Sequence, residues 1–290
     1  MLLKMPWPIL SAEFAVKPSV QNGNFWKTWY KLSKMGNKMD SKTIFITGGT
    51  GKLGQQFVAQ FIAAGHTVIT NSRSQKNLDK LAASLPEGNR FYGLEIDLEP
   101  TDALDQIVAF LAEHELRPQA LVHNARSLEY LKIGEDGVVN QADFLGELRL
   151  NVVIPYALTM RLANLENSRL ETVIYIASIY GMVGPNRNLY TNLDQQSPVH
   201  YGVGKAAQIQ LTKELAVRLA PKGIRVNAIS YGGFGGRAPA EFVARYAKLN
   251  PQARMLDDSE APGPLAFLIS DAARGMTGHN LVYDSGWTAW

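Results

Sequence analysis

From Ser41 to the C-terminus, short runs of β-branched and other apolar residues alternate with longer stretches whose apolar positions recur every three or four residues. The runs predict strands at 43–47, 67–71, 90–96, 119–123, 172–177, 224–230 and 280–284. The intervening stretches predict helices at 53–64, 75–84, 101–115, 141–164, 198–219 and 260–270. Ala120-Leu-Val122 and Val173-Ile-Tyr-Ile-Ala177 are apolar without interruption, as strands covered on both faces must be. Short connections between alternating elements predict an α/β fold, a doubly wound parallel sheet with helices on both faces. No internal repeat or low-complexity linker divides 39–290, which reads as one domain. Residues 1–38 lack any sustained period and read as a basic, aromatic N-terminal extension. The readings of this extension are a flexible leader, sequence upstream of a translation start at Met39, or a membrane or partner contact through Phe25-Trp-Lys-Thr-Trp-Tyr-Lys-Leu32.

Composition narrows the function classes. Apolar content of 46% with 19% charge is ordinary for a globular chain and ample for a large core. The absence of cysteine excludes disulfides, thiolate catalysis and cysteine metal sites, and fits a cytoplasmic location. The five histidines have no metal-type spacing, so no metal site is expected. The net charge of +3 is a local matter: six lysines against Glu13 in residues 1–38 give +5, leaving 3 − 5 = −2 for the rest. The body of the chain therefore carries no nucleic-acid footprint, and no run is long enough to span a membrane. The expected partner is a small molecule.

One turn organises the rest. Strand residues Ile44-Phe-Ile46 feed Thr47-Gly48-Gly49-Thr50-Gly51-Lys52-Leu53-Gly54, and a helical pattern follows. Strand, glycine turn and helix together make a dinucleotide-binding hypothesis, because glycines let the backbone approach a pyrophosphate held at a helix N-terminus. A strand-to-helix turn without a ligand is the plainer reading. The second strand ends Asn71-Ser72-Arg73, with no carboxylate where an NAD-selective site bonds the ribose 2′-hydroxyl. Arg73 could instead pair with a 2′-phosphate, favouring NADP over NAD; otherwise it is a solvated arginine opening a loop.

The predicted helix 198–219 opens with Ser197 at the N-cap and Pro198 at the first position, and Val203, Ala207, Leu211, Leu215 and Leu219 form its expected apolar stripe. Tyr201 and Lys205 are four apart and share a face. An ammonium beside a phenol favours phenolate and makes the tyrosine a usable acid/base.

Taken with the glycine turn, the strand-end Ser178, Asn151 in Leu148-Arg-Leu-Asn-Val-Val-Ile154, and His123-Asn124-Ala125, this pair makes residues 42–286 resemble the short-chain dehydrogenase/reductase family, of Rossmann-type fold. The resemblance implies that Tyr201 is the general acid/base, that Lys205 binds the nicotinamide ribose and tunes Tyr201, that Ser178 holds the reacting carbonyl and that Asn151 supports a water-linked proton relay. It further implies cofactor contacts from Gly48, Thr50, Gly51, Leu53, Gly54, Asp97, Leu98, Asn124, Ala125 and Gly232, and a homodimer or homotetramer. Three positions depart from the family pattern: Arg126 replaces a glycine, Ser230-Tyr231 replaces a proline-glycine region, and a polar insert Gly184–Tyr190 separates Ser178 from Tyr201. The insert and the ending Asp284-Ser-Gly-Trp-Thr-Ala-Trp290 resemble a bacterial subgroup linked to legionaminic, sialic-acid-like sugar synthesis and flagellin modification. The plainer reading of the insert is a surface loop; its position before the helix of Tyr201 also suits a substrate wall, with Asn186, Arg187, Asn188 and Asn192 as donors for a hydroxyl-rich ligand. The function implied is an NADP(H)-dependent interconversion of carbonyl and alcohol. The alternatives are a sugar dehydratase or epimerase that retains its cofactor, and a non-catalytic dinucleotide sensor, for which Arg126 and Tyr231 argue.

Overall fold

The computed structural model describes residues 41–236 and 238–290; the expectations for residues 1–38, and the position of Arg237, lie outside the described residues. Seven strands form one parallel sheet in the order β3-β2-β1-β4-β5-β6-β7. They are β1 (Thr43–Ile46), β2 (Thr67–Ser72), β3 (Phe91–Glu95), β4 (Ala120–His123), β5 (Thr172–Ser178), β6 (Arg225–Tyr231) and β7 (Asn280–Tyr283). The helices between them are α1 (Lys52–Ala63), α2 (Gln75–Ala83), α3 (Ala103–Glu113), α4 (Gln141–Leu148), α5 (Ile154–Ala163), α6 (Val199–Leu219), α7 (Ala240–Lys248) and α8 (Pro262–Ile269). This is the doubly wound parallel sheet that the alternation predicts, of the single-domain Rossmann type that the resemblance implies.

The uninterrupted strands are apolar because both sheet faces are covered. Phe45, Leu121, Val173 and Tyr175 face one layer with Ile107 of α3, Leu158 of α5 and Leu215 of α6. Ile44, Ile46, Val122 and Ile174 face the opposite layer with Phe57 and Phe61 of α1 and Leu265 of α8. Strand order reverses between β1 and β4, which pair in the register Ile44–Ala120 to Ile46–Val122. A crevice opens outside the carboxyl ends of the strands at such a reversal.

Three local expectations are corrected. The helix expected at 141–164 is α4 and α5 joined by a π-helical segment, Arg149–Val153, in which the Ile154 N–H bonds the Arg149 carbonyl. Pro155 has no N–H to offer the carbonyl four residues back, that of Asn151, and a wider turn accommodates the gap. Helix α6 begins one residue later than expected, with Pro198 rather than Ser197 as its N-cap. Its buried face is also rotated: Val203 is exposed, and His200, Lys205, Gln208 and Thr212 are buried instead. That face packs on α4 and the π segment, so the needs of the site, not the apolar period, set the polar groups along its inner side. Helix α7 has no counterpart among the expected elements. No helix among the described residues is long and apolar enough to cross a membrane.

Candidate active site

A cleft of about 900 Å³ lies over the carboxyl ends of β1, β2, β4, β5 and β6. At one end the glycine turn crosses from β1 to α1. Gly48 sits at φ 66°, and a Cβ there would come within 2.8 Å of the Ala125 Cα, so the turn and the loop after β4 can only meet at a glycine. Side chains pin the turn from beneath. The Gly48 N–H donates to Asn71 Oδ1 (3.1 Å) and the Gly49 N–H to Thr70 Oγ1 (2.8 Å). Asn124 Nδ2 donates to the Thr47 and Gly48 carbonyls at 2.9 and 3.1 Å, and Thr47 Oγ1 accepts from the Asn124 and Ala125 N–H groups. Asn124 thus holds the loop in shape as well as lining the cleft.

Helix α1 opens directly onto this space. Its N-cap is Gly51, with no side-chain cap and no acidic residue in its first turn. By contrast, Ser74 caps α2 and Asn140 caps α4. A bare helix N-terminus of this length is a place for a phosphate oxygen. Lys52, the first residue of α1, swings sideways: its Nζ donates to the Gly235 carbonyl (2.6 Å) and pairs with Asp258 (2.9 Å). The glycine turn is thereby tied to the segment after β6, a link invisible in the sequence.

At the outer end stand Arg73, Asp97 and Leu98. Arg73 Nη1 pairs with Glu129 Oε1 at 2.9 Å, and both side chains are half or more exposed. Sequence reasoning missed Glu129, which lies 56 residues from Arg73. Asp97 Oδ1 accepts from the Glu99 N–H and turns the chain at this end of the cleft.

The inner end gathers Ser178, Tyr201 and Lys205 on one wall. Ser178 ends β5, and its Oγ accepts from the Tyr180 N–H (3.2 Å), leaving its own proton free to point into the cleft. Lys205 Nζ donates to the Ile176 carbonyl (2.9 Å) and Gln208 Oε1 (3.0 Å) and lies 5.8 Å from the Tyr201 ring centre. Burial, with Arg126 nearby, pushes Lys205 down to about 7, so its charge depends on pH. Asn151 stands behind this wall. Its Nδ2 donates to the Glu147 carbonyl (2.9 Å), and its side chain faces Gly204 of α6, whose Cβ would lie in ordinary contact with it at 3.6 Å.

The three departures acquire definite positions. The Arg126 guanidinium lies over the Tyr201 ring, 5.0 Å from its centre, inside the cleft. The Tyr231 ring lines the cleft, but its hydroxyl turns into the core and donates to the Ala261 carbonyl at 2.5 Å. Gly232 follows, held by its N–H to the Tyr283 carbonyl. The insert does not supply the expected donors. Asn186, Arg187, Asn188 and Asn192 are exposed and do not line the cleft; Asn186 is spent accepting from the Asn188 N–H. The reason is Leu189, fully buried with Ile179, Tyr246 and Trp287, which anchors the insert and turns Tyr190 inward. Tyr190 hydrogen-bonds Tyr180, and Arg245 of α7 clamps the Leu189 carbonyl (2.7 Å). The wall is therefore aromatic: Tyr180, Tyr190, Phe234, Phe242 and Tyr246, with Met255.

Comparison with known proteins identifies the family. The family model described as "Enoyl-(Acyl carrier protein) reductase" matches residues 51–288. An uncharacterised short-chain type dehydrogenase/reductase of Sinorhizobium fredii is 29% identical over 85% of this chain, which spans 43% of that protein's length. Isoepoxydon dehydrogenase of Aspergillus clavatus is 31% identical over 84% of this chain and 93% of its own. The post-translational flagellin modification protein A of Campylobacter coli is 36% identical over 40% of this chain and 45% of its own. Among solved structures, a short-chain dehydrogenase of Leptospira borgpetersenii with bound NAD+ superposes with a TM-score of 0.75 at 28% identity, covering 86% of this chain and 94% of its own. The chain belongs to the short-chain dehydrogenase/reductase family and is an oxidoreductase of the carbonyl/alcohol type.

Proposed function

We propose that this enzyme reduces a ketone, or oxidises the matching alcohol, with NADP(H), on a ring-shaped, sugar-derived substrate of surface-glycan synthesis. What carries the reading is the grouping of Ser178, Tyr201 and Lys205 on one wall of a cleft whose other end is the uncapped start of α1. The residues fit a dinucleotide. The α1 N–H groups would hold its pyrophosphate, Arg73 its 2′-phosphate, and Asp97, Leu98 and Ala125 would flank it. Bound there, the nicotinamide supplies the hydride. Ser178 Oγ holds the carbonyl oxygen, Tyr201 gives that oxygen its proton, and the Lys205 ammonium lowers the cost of the phenolate left behind. Tyr180 and Tyr190 present an aromatic face with polar edges, suited to the C–H face and hydroxyls of a sugar ring. The partial match to a flagellin modification protein supports the glycan setting.

A specific observation favours NAD as the second reading: Glu129 already engages Arg73, and a carboxylate suits a 2′-hydroxyl. A homodimer or homotetramer, working in the cytoplasm, completes the proposal. Leu145, Val153 and Tyr156 on α4–α5 and Val199, Val203 and Val217 on α6 are exposed apolar residues that an assembly would cover. The test is a screen of keto-, amino- and nucleotide-linked sugars, following absorbance of NADPH and NADH in parallel. Net oxidation of NADPH by one class of sugar ketone supports the reading. Conversion with no net change in cofactor points to a dehydratase or epimerase, and binding without conversion to a sensor.

A further inference from the structure

Behind Lys205 lies a group of buried side chains for which the scheme above has no use. Glu147 and His200 are fully buried and Asn151 nearly so. Glu147 Oε1 and Oε2, Asn151 Oδ1 and His200 Nδ1 all lack a hydrogen-bond partner. The residues lie close together: Asn151 Nδ2 bonds the Glu147 backbone carbonyl one helical turn back, the His200 charge acts on the Glu147 carboxyl, and the Phe144 ring of the same helix lies 5.7 Å from the His200 ring at the start of α6. His200 Nε2 meets the Tyr130 carbonyl at 2.5 Å, and a carbonyl only accepts, so Nε2 carries a proton and, in the neutral ring, Nδ1 is an acceptor. With Glu147 ionised and His200 neutral, every orphan atom is an acceptor and none can satisfy another. Adding one proton to Glu147 turns it into a donor, which buried polar groups require.

We propose that Glu147, flanked by His200 and Asn151, is a buried proton store behind Lys205, a role that rests on the oxidoreductase reading of the cleft. In the reductive direction the Tyr201 hydroxyl proton goes to the oxygen that becomes the alcohol. The Lys205 ammonium returns a proton to the phenolate and becomes an amine. The Glu147 carboxyl, which makes no direct hydrogen bond or ion pair with Lys205, gives its proton to that amine through a bridging water, becomes carboxylate, and regains a proton from solvent before the next turnover. The sum is one hydride and one solvent proton taken up per carbonyl reduced. The electrostatics agree with this exchange. Burial raises the Glu147 carboxyl above its ordinary range, against the opposing pull of Lys205 and His200 from α6, Arg126 from the loop after β4, and Asn151. Lys205 is lowered to about 7 by burial and Arg126, while a Glu147 carboxylate raises it. The two groups are pushed toward a common range, as a pair sharing a proton must be.

The experiment compares wild type with Glu147→Gln, Glu147→Asp and His200→Gln. Glu147→Gln should lower kcat about ten-fold or more, near the lower end for loss of a proton-transfer group, with cofactor affinity and KM little changed. Its solvent deuterium isotope effect should rise, and Glu147→Asp should recover part of the rate. His200→Gln should fall between the two. Independently of any substrate, the Lys205 ammonium resonance of protein carrying isotope-labelled lysine should titrate at lower pH in Glu147→Gln, because a charge that raises it is gone. An unchanged kcat and isotope effect overturns the store. So does a loss equal at every pH that follows a fall in Tm while the Lys205 midpoint stays put, since that marks a purely structural role. If no ketone is turned over the oxidoreductase assignment fails by itself, and the Lys205 midpoint still decides the coupling. Should Glu147→Gln not fold, infrared titration of the wild type decides: a protonated-carboxyl band near neutral pH that fades as Lys205 titrates supports the store, and no such band sinks it.

Discussion

Replacing Tyr201 by phenylalanine keeps the ring beneath Arg126 and removes only the hydroxyl. Turnover should fall by roughly 10²–10⁴-fold, the usual worth of a positioned acid/base, while NADPH affinity hardly moves. Lys205→Ala should lose both, because the ammonium sits where it can serve cofactor and phenol together. Turnover and fluorescence-detected cofactor binding in the two variants separate these roles; normal turnover by Tyr201→Phe would place the proton donor elsewhere. Arg73 makes a comparable test at the other end of the cleft. Arg73→Ala should weaken NADPH by about 1.5–3 kcal/mol, the range for a hydrogen bond to a charged group, and spare NADH. Because Glu129 competes for that guanidinium, Glu129→Gln should tighten NADPH. Equal effects on both cofactors would remove Arg73 from the 2′ position. Each of these residues is visible in the chain except Glu129, because an ion pair spanning 56 residues leaves no local pattern.

Between elements, one close fit of backbone on backbone is where the turn after β5 crosses α6. A Cβ on Gly181 would come within 2.6 Å of the Lys205 carbonyl carbon and 2.8 Å of the Ala206 nitrogen. Backbone meets backbone there, so neither side can yield by rotating a side chain. Gly181→Ala should therefore push α6 off β5 and lower stability by roughly 1–3 kcal/mol, the cost of overpacking. Since the shift carries Tyr201 and Lys205 away from Ser178, activity should fall further than the melting temperature suggests; wild-type kcat in a destabilised variant would argue that the helix adapts. The π segment shows the same dependence on context. A helical period over 141–164 is plain in the sequence, but the register change at Arg149–Val153 comes from one missing N–H at Pro155 and is settled by packing on α6. Periodicity also misreads α6, because a helix facing an active site buries polar residues.

For the molecule as a whole, stability should depend on pH through His123. It is fully enclosed, stacked on Tyr175 and bonded through Nε2 to Thr159 Oγ1 at 2.8 Å, and burial lowers it to about 3. Its folded value lies below the unfolded one near 6.5, so the unfolded chain binds the extra proton between these values. The stabilisation from a neutral His123 is complete above about pH 7 and is lost as pH falls from about 6.5 toward about 3. Urea unfolding should show roughly 2–3 kcal/mol lost from this group between about pH 7 and about pH 4.5. His123→Gln should lack that increment, and identical pH slopes in the two proteins would refute it. The domain boundary is open to a direct trial. A chain starting at Met39 should keep the melting temperature and NADPH affinity of the 290-residue chain; a drop in either would mean that residues 1–38 contribute to the domain.

The order of strands and helices, the glycine turn and the Tyr201–Lys205 spacing are all local patterns, and local patterns are written in the chain. A parallel sheet with two covered faces needs continuous apolar strands, and a strand–turn–helix unit needs its glycines, so both are legible from the order of residues alone. Which groups face one another was decided only by folding. The Lys52 link to Gly235 and Asp258, the Arg73–Glu129 pair, the aromatic wall and the unpartnered Glu147–Asn151–His200 group join residues from distant parts of the sequence. The insert makes the point most simply. Its asparagines look like ligand donors in sequence, but burying Leu189 is worth more than presenting amides that water already satisfies, and the tertiary structure turns them outward.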